Sequence, residues 1–295
     1  MKKFLKLLTP PLLFSLIRYI YRKIHILIFK VPPNYILPAY SSEIYYEYSK
    51  LPKKSDNVWE SKNWINHVKK SLKESVTEPW CKHKLAVINS CKIVCRMSDY
   101  KKIHVIDFGG GCGVLVSSLL SSLKNEKIQF EISIVDSKSN IEIGIEYFRD
   151  KKNINFYDKN NVKLKNIIDS HKSEQTATIL NISGVLQYIN KIEIFLESLL
   201  KETNPMFVCI TRFVVCENAN TDAFTYQNLT TREGFAGSII VNLFGKNSLT
   251  KLMDKLGYRI LFDDTNDKSI INYFDKCDDE KYRKMSMHAY IFLKN

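Results

Sequence analysis

The feature of this sequence that most constrains its fold is a cluster of glycines. Four of the ten glycines in the 295 residues lie in the short segment 109–113. The preceding residues, Ile103–Asp107, have the β-branched pattern of a buried strand, and a helical stretch rich in Leu and Ser begins at Val114. Glycines at such a junction let the backbone turn sharply and approach a ligand closely. The segment therefore predicts a strand, a ligand-binding turn and a helix in succession.

Short β-branched runs alternate with helical stretches from residue 101 onward. We expect strands at Ile103–Asp107, Glu131–Asp136, Ile154–Asp158, Ala177–Ile182, Phe207–Val214, Tyr258–Asp263 and His288–Leu293. We expect helices at about 114–124, 139–150, 162–170, 190–202 and 247–256. This alternation predicts an α/β fold in which seven strands form a mostly parallel sheet with helices on both faces. The polar loop before the last strand favours a closing antiparallel pair.

Two nucleotide-binding motifs are excluded for the glycine segment. The dinucleotide fingerprint needs a glycine or alanine three residues after its second glycine, where this chain has Val114 or Val116. A P-loop needs Gly-Lys followed by Ser or Thr, which is absent. The segment instead has an acid followed by glycines at alternate positions, Asp107, Gly109, Gly111 and Gly113. This pattern resembles the first motif of class I S-adenosylmethionine-dependent methyltransferases; the alternative is a glycine-rich turn without a ligand.

The resemblance implies a Rossmann-like class I methyltransferase sheet with S-adenosylmethionine as cofactor. In that family the glycines admit the methionine part of the cofactor, and the acid of the first motif lies near its ammonium group. Asp136, which ends the second predicted strand roughly 20 residues after Gly113, matches the acid that holds the ribose hydroxyls. Asp158, at the end of the third strand, matches the residue near the adenine amino group. The implied cofactor-binding residues are Asp107, Gly109, Gly110, Gly111, Cys112, Gly113, Asp136, Asp158, Ser183 and Gln187.

A more specific resemblance covers roughly residues 100–265. It is carried by Asp107-Phe108-Gly109-Gly110, Ser183-Gly184-Val185-Leu186-Gln187-Tyr188, Thr211-Arg212, Phe224-Thr225-Tyr226-Gln227 and Leu256-Gly257-Tyr258. Together these segments resemble a family of bacterial methyltransferases found with surface-polysaccharide biosynthesis genes, which implies O-methylation of a saccharide or polysaccharide precursor. The chain departs from that family's pattern at Ile210, where an acid is expected. It also lacks the Asp/Asn-Pro-Pro-aromatic motif typical of methyltransferases that modify amino groups.

Three polar residues near the active edge of the predicted sheet are candidate catalytic residues, namely Tyr188, Arg212 and Gln227. A hydroxyl acceptor needs a base or a strong hydrogen-bond acceptor, and none of the three is an obvious base. Arg212 suits an anionic substrate group such as a phosphate or uronate. The alternatives are a structural arginine, a buried tyrosine and a loop glutamine. The long, largely polar segment 216–244 is interpreted as a substrate-side lid or, alternatively, as a surface insertion.

Positive charge is concentrated at the N-terminus. The chain has 44 Lys and Arg against 31 Asp and Glu, a formal +13, and residues 1–30 supply seven of the basic residues and no acid. Because nucleic-acid enzymes spread basic residues along a groove, nucleic acid is disfavoured as a partner. An RNA methyltransferase and a non-catalytic cofactor-binding protein stay as alternatives. The uncharged run Leu7–Ile17 is shorter than the ~18 to 20 residues of a membrane-spanning helix.

The domain organisation follows from shifts in composition. We expect residues 1–30 to form a basic amphipathic helix that either lies in the membrane interface or packs on the protein. Residues 31–40 contain three prolines and are predicted to be a linker, 41–100 a helical cap, and 101–295 the methyltransferase domain. Seven scattered cysteines without a signal-peptide cleavage site favour a reduced cytoplasmic protein, peripheral at the inner face of the membrane at most. The cysteine spacing fits no standard zinc site, so no metal is expected.

Overall fold

A computed structural model of the protein describes residues 39–53, 56, 58–77, 84–161, 164–169, 175–230, 236–265 and 277–295. The strands, in chain order, are β1 (Ala39–Tyr40), β2 (Lys102–Phe108), β3 (Gln129–Asp136), β4 (Ile154–Asp158), β5 (Thr176–Ser183), β6 (Phe207–Cys216), β7 (Ala223–Thr230), β8 (Ala236–Gly245), β9 (Tyr258–Thr265) and β10 (Met285–Lys294). The helices are α1 (Lys62–Thr77), α2 (Leu85–Val94), α3 (Val116–Ser122), α4 (Lys138–Phe148), α5 (Leu164–Asp169), α6 (Ile192–Thr203) and α7 (Ser248–Lys255). Short 3-10 turns lie at Tyr48–Lys50, Leu186–Tyr188 and Glu280–Tyr282.

Seven of these strands form the sheet that the sequence predicts. β2 pairs in parallel with β3 and β5, β3 pairs with β4, and β5 pairs with β6. β10 pairs antiparallel with both β6 and β9. The resulting order is β4-β3-β2-β5-β6-β10-β9. The α/β class, the mostly parallel sheet and the closing antiparallel pair are therefore confirmed.

Two apolar clusters cover the two faces of this sheet. On one face, α1, α2 and α3 pack against Ile103 and Val105 of β2. On the other face, α5, α6 and α7 belong to the cluster that contains Ile106 of the same strand. Successive side chains of a strand point to opposite faces, so the two clusters are separated by the sheet itself. Helices therefore cover both sides and leave the strand ends as the place where a ligand can approach.

The segment 216–244 contains a β-hairpin at the edge of the sheet, and its interpretation as a lid stays a prediction. β7 pairs antiparallel with β8, β1 adds to β7, and β8 joins the end of β6. The strand β7 was hard to identify in the sequence because two of its buried positions, Thr225 and Gln227, are polar. Thr225 is fully buried, and its Oγ1 donates to the carbonyl oxygens of Ser41 and Glu43 at 3.1 and 2.8 Å. A buried hydroxyl satisfied in this way needs no apolar alternation.

The structure tests only some of the predictions made for residues 1–100. The predicted helix at 1–30 and residues 31–38 of the predicted linker lie outside the described residues. Ala39 and Tyr40 pair with β7 and so form a strand, not a linker. Within 41–100, α1 and α2 share one apolar cluster with β2, while the division of the chain into domains stays a prediction. Among the residues that the structure describes, no helix has both the length and the apolar character needed to cross a bilayer.

Gly144 provides a test of how closely α4 packs on the glycine segment. A Cβ at this position would lie 2.2 Å from Cε1 of Phe156 and 2.8 Å from the carbonyl oxygen of Cys112. Alanine normally stabilises a helix relative to glycine by about 1 kcal/mol. We expect Gly144→Ala to lower the free energy of unfolding by about 1 to 3 kcal/mol instead, because overpacking outweighs helix propensity. Urea unfolding measures this, with exposed Glu142→Ala in the same helix as control; a stabilised Gly144→Ala would contradict the packing.

Candidate functional site

The ends of five parallel strands meet at one edge of the sheet. β2 brings Asp107 to this edge, β3 ends at Asp136, β4 at Asp158 and β5 at Ser183. Arg212 lies in β6 directly after the residue that pairs with Ser183. In open α/β sheets, ligands bind at the carboxyl ends of the strands. The structure therefore places the residues that the sequence singled out along one edge.

The glycine segment turns through backbone conformations that a side chain would strain. The angle φ is +71° at Gly109 and +62° at Gly111. A Cβ at Gly109 would lie 2.3 Å from Cγ2 of Val185, and one at Gly110 would lie 2.4 Å from Oδ2 of Asp107. A Cβ at Gly111 would meet nothing within 4 Å. Packing thus requires the first two glycines, whereas Gly111 faces open space beside the strand ends.

Asp136 fastens the glycine segment to the next β-α unit. Its Oδ2 accepts a hydrogen bond from the amide of Gly111 at 2.7 Å. Its Oδ1 accepts from the amide of Ser137 at 2.6 Å and from Nδ2 of Asn140 at 2.8 Å. A carboxylate offers about four acceptor positions, so one stays open on this partly exposed side chain. The buried Oδ1 of Asn140 has no hydrogen-bond partner among the described residues.

Asp107 lies beneath the glycine segment and is only 2% exposed. Its Oδ1 accepts a hydrogen bond from Nδ2 of Asn181 in β5 at 2.7 Å. Burial raises the pKa of Asp107 to about 6; the bond from Asn181 opposes this rise, the charge of Asp136 adds to it, and Lys84 opposes it. The buried Oδ1 of Asn181 has no hydrogen-bond partner in the described part of the chain. Asp107 is therefore a carboxyl group whose charge state depends on what binds above it.

The other predicted cofactor-binding residues at the ends of β2 and β4 are Cys112, Gly113 and Asp158. They differ in which of their atoms a ligand could reach. Cys112 is fully buried, and its Sγ lies 3.7 Å from the carbonyl oxygen of Val68, so only its backbone is available to a ligand. Gly113 has φ +87° and donates its amide to the carbonyl of Gly110 at 3.1 Å. Asp158 accepts hydrogen bonds from the amide of Asn160 and from Nδ2 of Asn161, at 3.0 and 2.9 Å. The Asp158 carboxylate therefore closes its own turn at the end of β4.

The turn after β5 is held in place from two sides. The Oγ of Ser183 accepts a hydrogen bond from Oγ1 of Thr211 in β6 at 2.9 Å. Nδ2 of Asn242 in β8 donates to the carbonyl oxygens of Gln187 and Ile189 at 3.1 and 2.7 Å. The side-chain Oε1 of Gln187 is buried without a hydrogen-bond partner among the described residues. An unsatisfied buried acceptor at a strand end favours a role in binding a donor group.

Two of the three candidate catalytic residues are in direct contact. The hydroxyl of Tyr188 donates to Oε1 of Gln227 at 2.9 Å, and Nε2 of Gln227 donates to the hydroxyl of Tyr40 at 3.3 Å. Burial raises the pKa of Tyr188 and that of Tyr40. Both phenols therefore stay protonated near neutral pH. They can orient an acceptor by hydrogen bonds, but neither is suited to remove a proton.

Arg212, the third candidate, is the one exposed residue of the ten in β6. Its φ is +55°, and it is the residue left unpaired where the register between β6 and β10 shifts. Its guanidinium lies over Gly184, where a Cβ would be only 2.5 Å from Nη2. Its positive charge also opposes the rise in the pKa of Tyr188. Arg212 therefore belongs to the same side of the site as Tyr188.

Sequence reasoning does not identify several residues at this edge. The ring of Trp59 lies 5.2 Å from that of Tyr188 and 4.7 Å from that of Trp64. No motif contains Trp59 or Tyr40, since the site residues that they contact, Tyr188 and Gln227, are distant in the sequence. Asn181 carries one signal, a single amide inside the apolar run of β5. A buried polar residue within such a run indicates a specific hydrogen bond.

A separate cavity of about 1020 Å³ lies at the opposite edge of the sheet. Its lining includes Thr176 at the start of β5, Met206 just before β6 and Asn295 after β10. Because ligands of open parallel sheets bind at the carboxyl ends of the strands, we do not assign the site to this cavity. Within the described ranges, no group of three or more His, Cys, Asp or Glu side chains could hold a metal ion.

The raised pKa of Asp107 predicts a specific pH dependence of stability. A carboxyl group with a folded-state pKa of about 6 stabilises the fold fully below its ordinary pKa of 3.8 and loses that contribution as the pH rises through 6. Asp107→Asn keeps an acceptor for Asn181 but cannot ionise. As the pH rises from acidic to neutral, we expect the free energy of unfolding of Asp107→Asn to increase by about 3 kcal/mol relative to that of the wild type.

Denaturant unfolding at a series of pH values measures this difference. The exposed Asp150→Asn serves as control and should follow the wild type throughout. An Asp107→Asn variant that also follows the wild type at every pH would show that Asp107 is not a buried, protonated group.

Comparisons with known proteins give only distant likenesses. No family model matches the sequence, and no curated protein matches it. One similar solved structure is an O-methyltransferase family protein from Burkholderia thailandensis, with 11% identity, coverage of 86% of this chain and 65% of that chain, and a TM-score of 0.45. A second is human N-acetylserotonin methyltransferase in complex with S-adenosylmethionine, with 12% identity, coverage of 81% of this chain and 58% of that chain, and a TM-score of 0.43. A third is an S-adenosylmethionine-dependent methyltransferase from Clostridium acetobutylicum, with 12% identity, coverage of 79% of this chain and 98% of that chain, and a TM-score of 0.44. The chain thus spans less than two thirds of the length of the first two. Likenesses at this level carry no argument about its activity.

Proposed function

We propose that this chain is an S-adenosylmethionine-dependent methyltransferase with its cofactor along the glycine segment. The observation that carries the proposal is Gly111. Its backbone is left-handed, its side-chain position faces open space, and its amide is bound to the acid that ends the neighbouring strand. A glycine that no packing contact requires, beside such an acid, is typical of a backbone that lies against a ligand.

The residues present fit this cofactor. Asp136 has an open acceptor position for a ribose hydroxyl, and the unpartnered Oδ1 of Asn140 lies beside it. Asp107, once ionised, would attract the ammonium group of the methionine part, and Asn181 would hold that carboxylate in place. Asp158 ends the strand next to Asp136, in register with it, on the side proposed for adenine.

When bound, this cofactor supplies an electrophilic methyl group on a sulfonium sulfur. Methyl transfer to a hydroxyl would exchange the sulfur–carbon bond for an oxygen–carbon bond, and the proton of that hydroxyl would pass to solvent because neither Tyr188 nor Tyr40 is suited to accept it. The chain's own contribution is alignment and exclusion of solvent. Tyr188 and Gln227 form a hydrogen-bonded pair that can orient a hydroxyl. Because Tyr188 already donates its one hydroxyl proton to Gln227, its phenol oxygen would accept the hydrogen bond from the substrate hydroxyl in this proposal.

We propose a saccharide or polysaccharide precursor as the acceptor. Its many hydroxyls suit Tyr188, Gln227 and the unpartnered Oε1 of Gln187. The partly exposed ring of Trp59 offers an apolar surface for a face of a sugar ring. This choice rests on the resemblance of the sequence to methyltransferases of surface-polysaccharide loci and on these neutral groups together. We also propose that the reaction takes place in the cytoplasm, because the free cysteines of the described residues suit a reducing compartment.

Calorimetric titration with S-adenosylmethionine and S-adenosylhomocysteine tests the cofactor. We expect micromolar binding to the wild type and a loss of at least about tenfold in Asp136→Ala, since each hydrogen bond to a carboxylate contributes ~1.5 to 3 kcal/mol. The exposed Asp150→Ala removes the same charge elsewhere and should bind as the wild type does.

Absence of binding to the wild type would contradict the proposed function. Binding without methylation of any saccharide would instead favour the non-catalytic alternative.

We also propose that residues 1–30 contact an anionic membrane surface. Their seven basic residues are interleaved with apolar ones and accompanied by no acid. Each basic residue near such a surface contributes about 1 kcal/mol. Reversing two of them, Arg18→Glu with Arg22→Glu, should therefore lower binding to phosphatidylglycerol vesicles by more than about tenfold.

Vesicle sedimentation measures this binding. Lys251→Glu with Arg259→Glu makes the same change in net charge on exposed residues of the described surface and is the matched control. Equal loss in both double variants would show that net charge, and not the N-terminal segment, governs binding.

A further inference from the structure

We propose that the methyl acceptor is a ring compound that carries an acidic group, and that this group binds the guanidinium of Arg212. The inference rests on the proposed function, because it concerns the acceptor side of the same site. It adds a class of substrate and assigns Arg212 to specificity, not to the transfer of the methyl group.

The first observation is the unusual backbone of Arg212. Four residues other than glycine have a positive φ in the described part of the chain. Lys191 and Asn204 flank α6, and Asn247 precedes α7, so these three lie at helix ends. Arg212 alone lies inside a strand, at a bulge opposite β10. A bulge re-aims a side chain, and a strained residue in a buried strand points to a functional constraint.

The second observation is that the guanidinium of Arg212 occupies the place that a side chain at position 184 would need. Nη2, Nε and Cζ of Arg212 lie 2.5, 2.6 and 2.9 Å from where a Cβ of Gly184 would be. Gly184 itself has φ +66°, and its amide donates to the carbonyl of Thr211 at 2.8 Å. The left-handed backbone of Arg212 in β6 and of Gly184, the residue after β5, therefore places the guanidinium over the end of β5.

The third observation is that no carboxylate of the described residues neutralises this charge through a salt bridge. Two residues beside the guanidinium, Gly184 and Tyr188, are neutral. A planar guanidinium with free donors matches a carboxylate or phosphate through paired hydrogen bonds.

The fourth observation concerns the surface beside the cation. The ring of Tyr188 contacts that of Trp59, and both side chains are partly exposed. An aromatic wall beside a cation fits a ring with an acid attached. A sugar acid and a sugar phosphate both present this chemistry, so the experiment must distinguish them.

The test uses the full chain saturated with S-adenosylhomocysteine, after its binding has been measured. The tryptophan fluorescence or the heat of binding is followed with glucuronate, glucose 1-phosphate and glucose as probes. We expect one of the two anionic probes to bind about tenfold to a hundredfold more tightly than glucose, the effect of one or two charge-assisted hydrogen bonds. Whichever probe shows the preference identifies the carboxylate or the phosphate as the acidic group.

Two variants remove the cation in different ways. Arg212→Gln keeps a polar side chain, and Arg212→Gly suits φ +55° and so should fold at least as well as the wild type. Both should bind the preferred probe no more tightly than glucose, while binding of S-adenosylhomocysteine stays within about twofold of the wild type. Arg259→Gln, at an exposed arginine of β9, is the control and should keep the preference.

Three results would overturn the inference: equal binding of glucose and both anionic probes, failure of both anionic probes to bind, or an unchanged preference in Arg212→Gln and Arg212→Gly. The same titrations are repeated without S-adenosylhomocysteine. If the wild type does not bind that nucleotide, the proposed function fails, and the titrations without it still decide whether Arg212 selects an acid.

Discussion

The site depends on how closely the backbone of the glycine segment, residues 109–113, packs against the turn after β5. Gly109 has no room for a side chain because Val185 occupies that space, and Gly110 has none because Asp107 lies beneath it. The amide of Gly109 donates to the carbonyl of Val135 at 2.8 Å, and the amide of Gly111 donates to Asp136. The glycine segment is thus fastened to β3 and packed against the β5 turn. A side chain at Gly109 would displace the turn after β5, and one at Gly110 would displace Asp107 at the end of β2.

The seven strands of the main sheet could be predicted because each contains a run of apolar, mostly β-branched residues. In β2, β5 and β6 burial on both faces explains these runs, whereas the edge strand β9 is largely exposed. Their bounds differ from the predicted ones by a few residues at most, as at β10, which begins at Met285 and not at His288. The hairpin β7–β8 could not be predicted in the same way. Thr225 and Gln227 are buried polar residues whose partners, Ser41, Glu43 and Tyr40, lie 182 to 187 positions away. No local pattern encodes contacts of that range.

The side of the site proposed for the cofactor and the side proposed for the acceptor also differ in how far the sequence predicts them. Asp107 and Asp136 follow from local signals, since an acid before the glycines and an acid at the next strand end are both readable in the sequence. The wall formed by Trp59 and Tyr188 depends on how the segment before α1 folds over the β5 turn. The exposure of Arg212 depends on the bulge between β6 and β10, a property of the pairing of two strands. The sequence singled out Arg212 only through a family resemblance.

The charged residues at the strand ends follow an order across the sheet, with the acids on one side and Arg212 on the other. Asp107, Asp136 and Asp158 lie on β2, β3 and β4, whereas Arg212 lies on β6, beyond the neutral Ser183 of β5. The strand order reverses between β2 and β5, which is where ligands of such sheets bind. The proposed cofactor brings an ammonium group, a sulfonium and ribose hydroxyls, which suit the acidic side. An acceptor with an acid suits the side of Arg212. Exchanging the two would oppose like charges on both sides, so the order of charges favours the proposed placement of the cofactor and the acceptor.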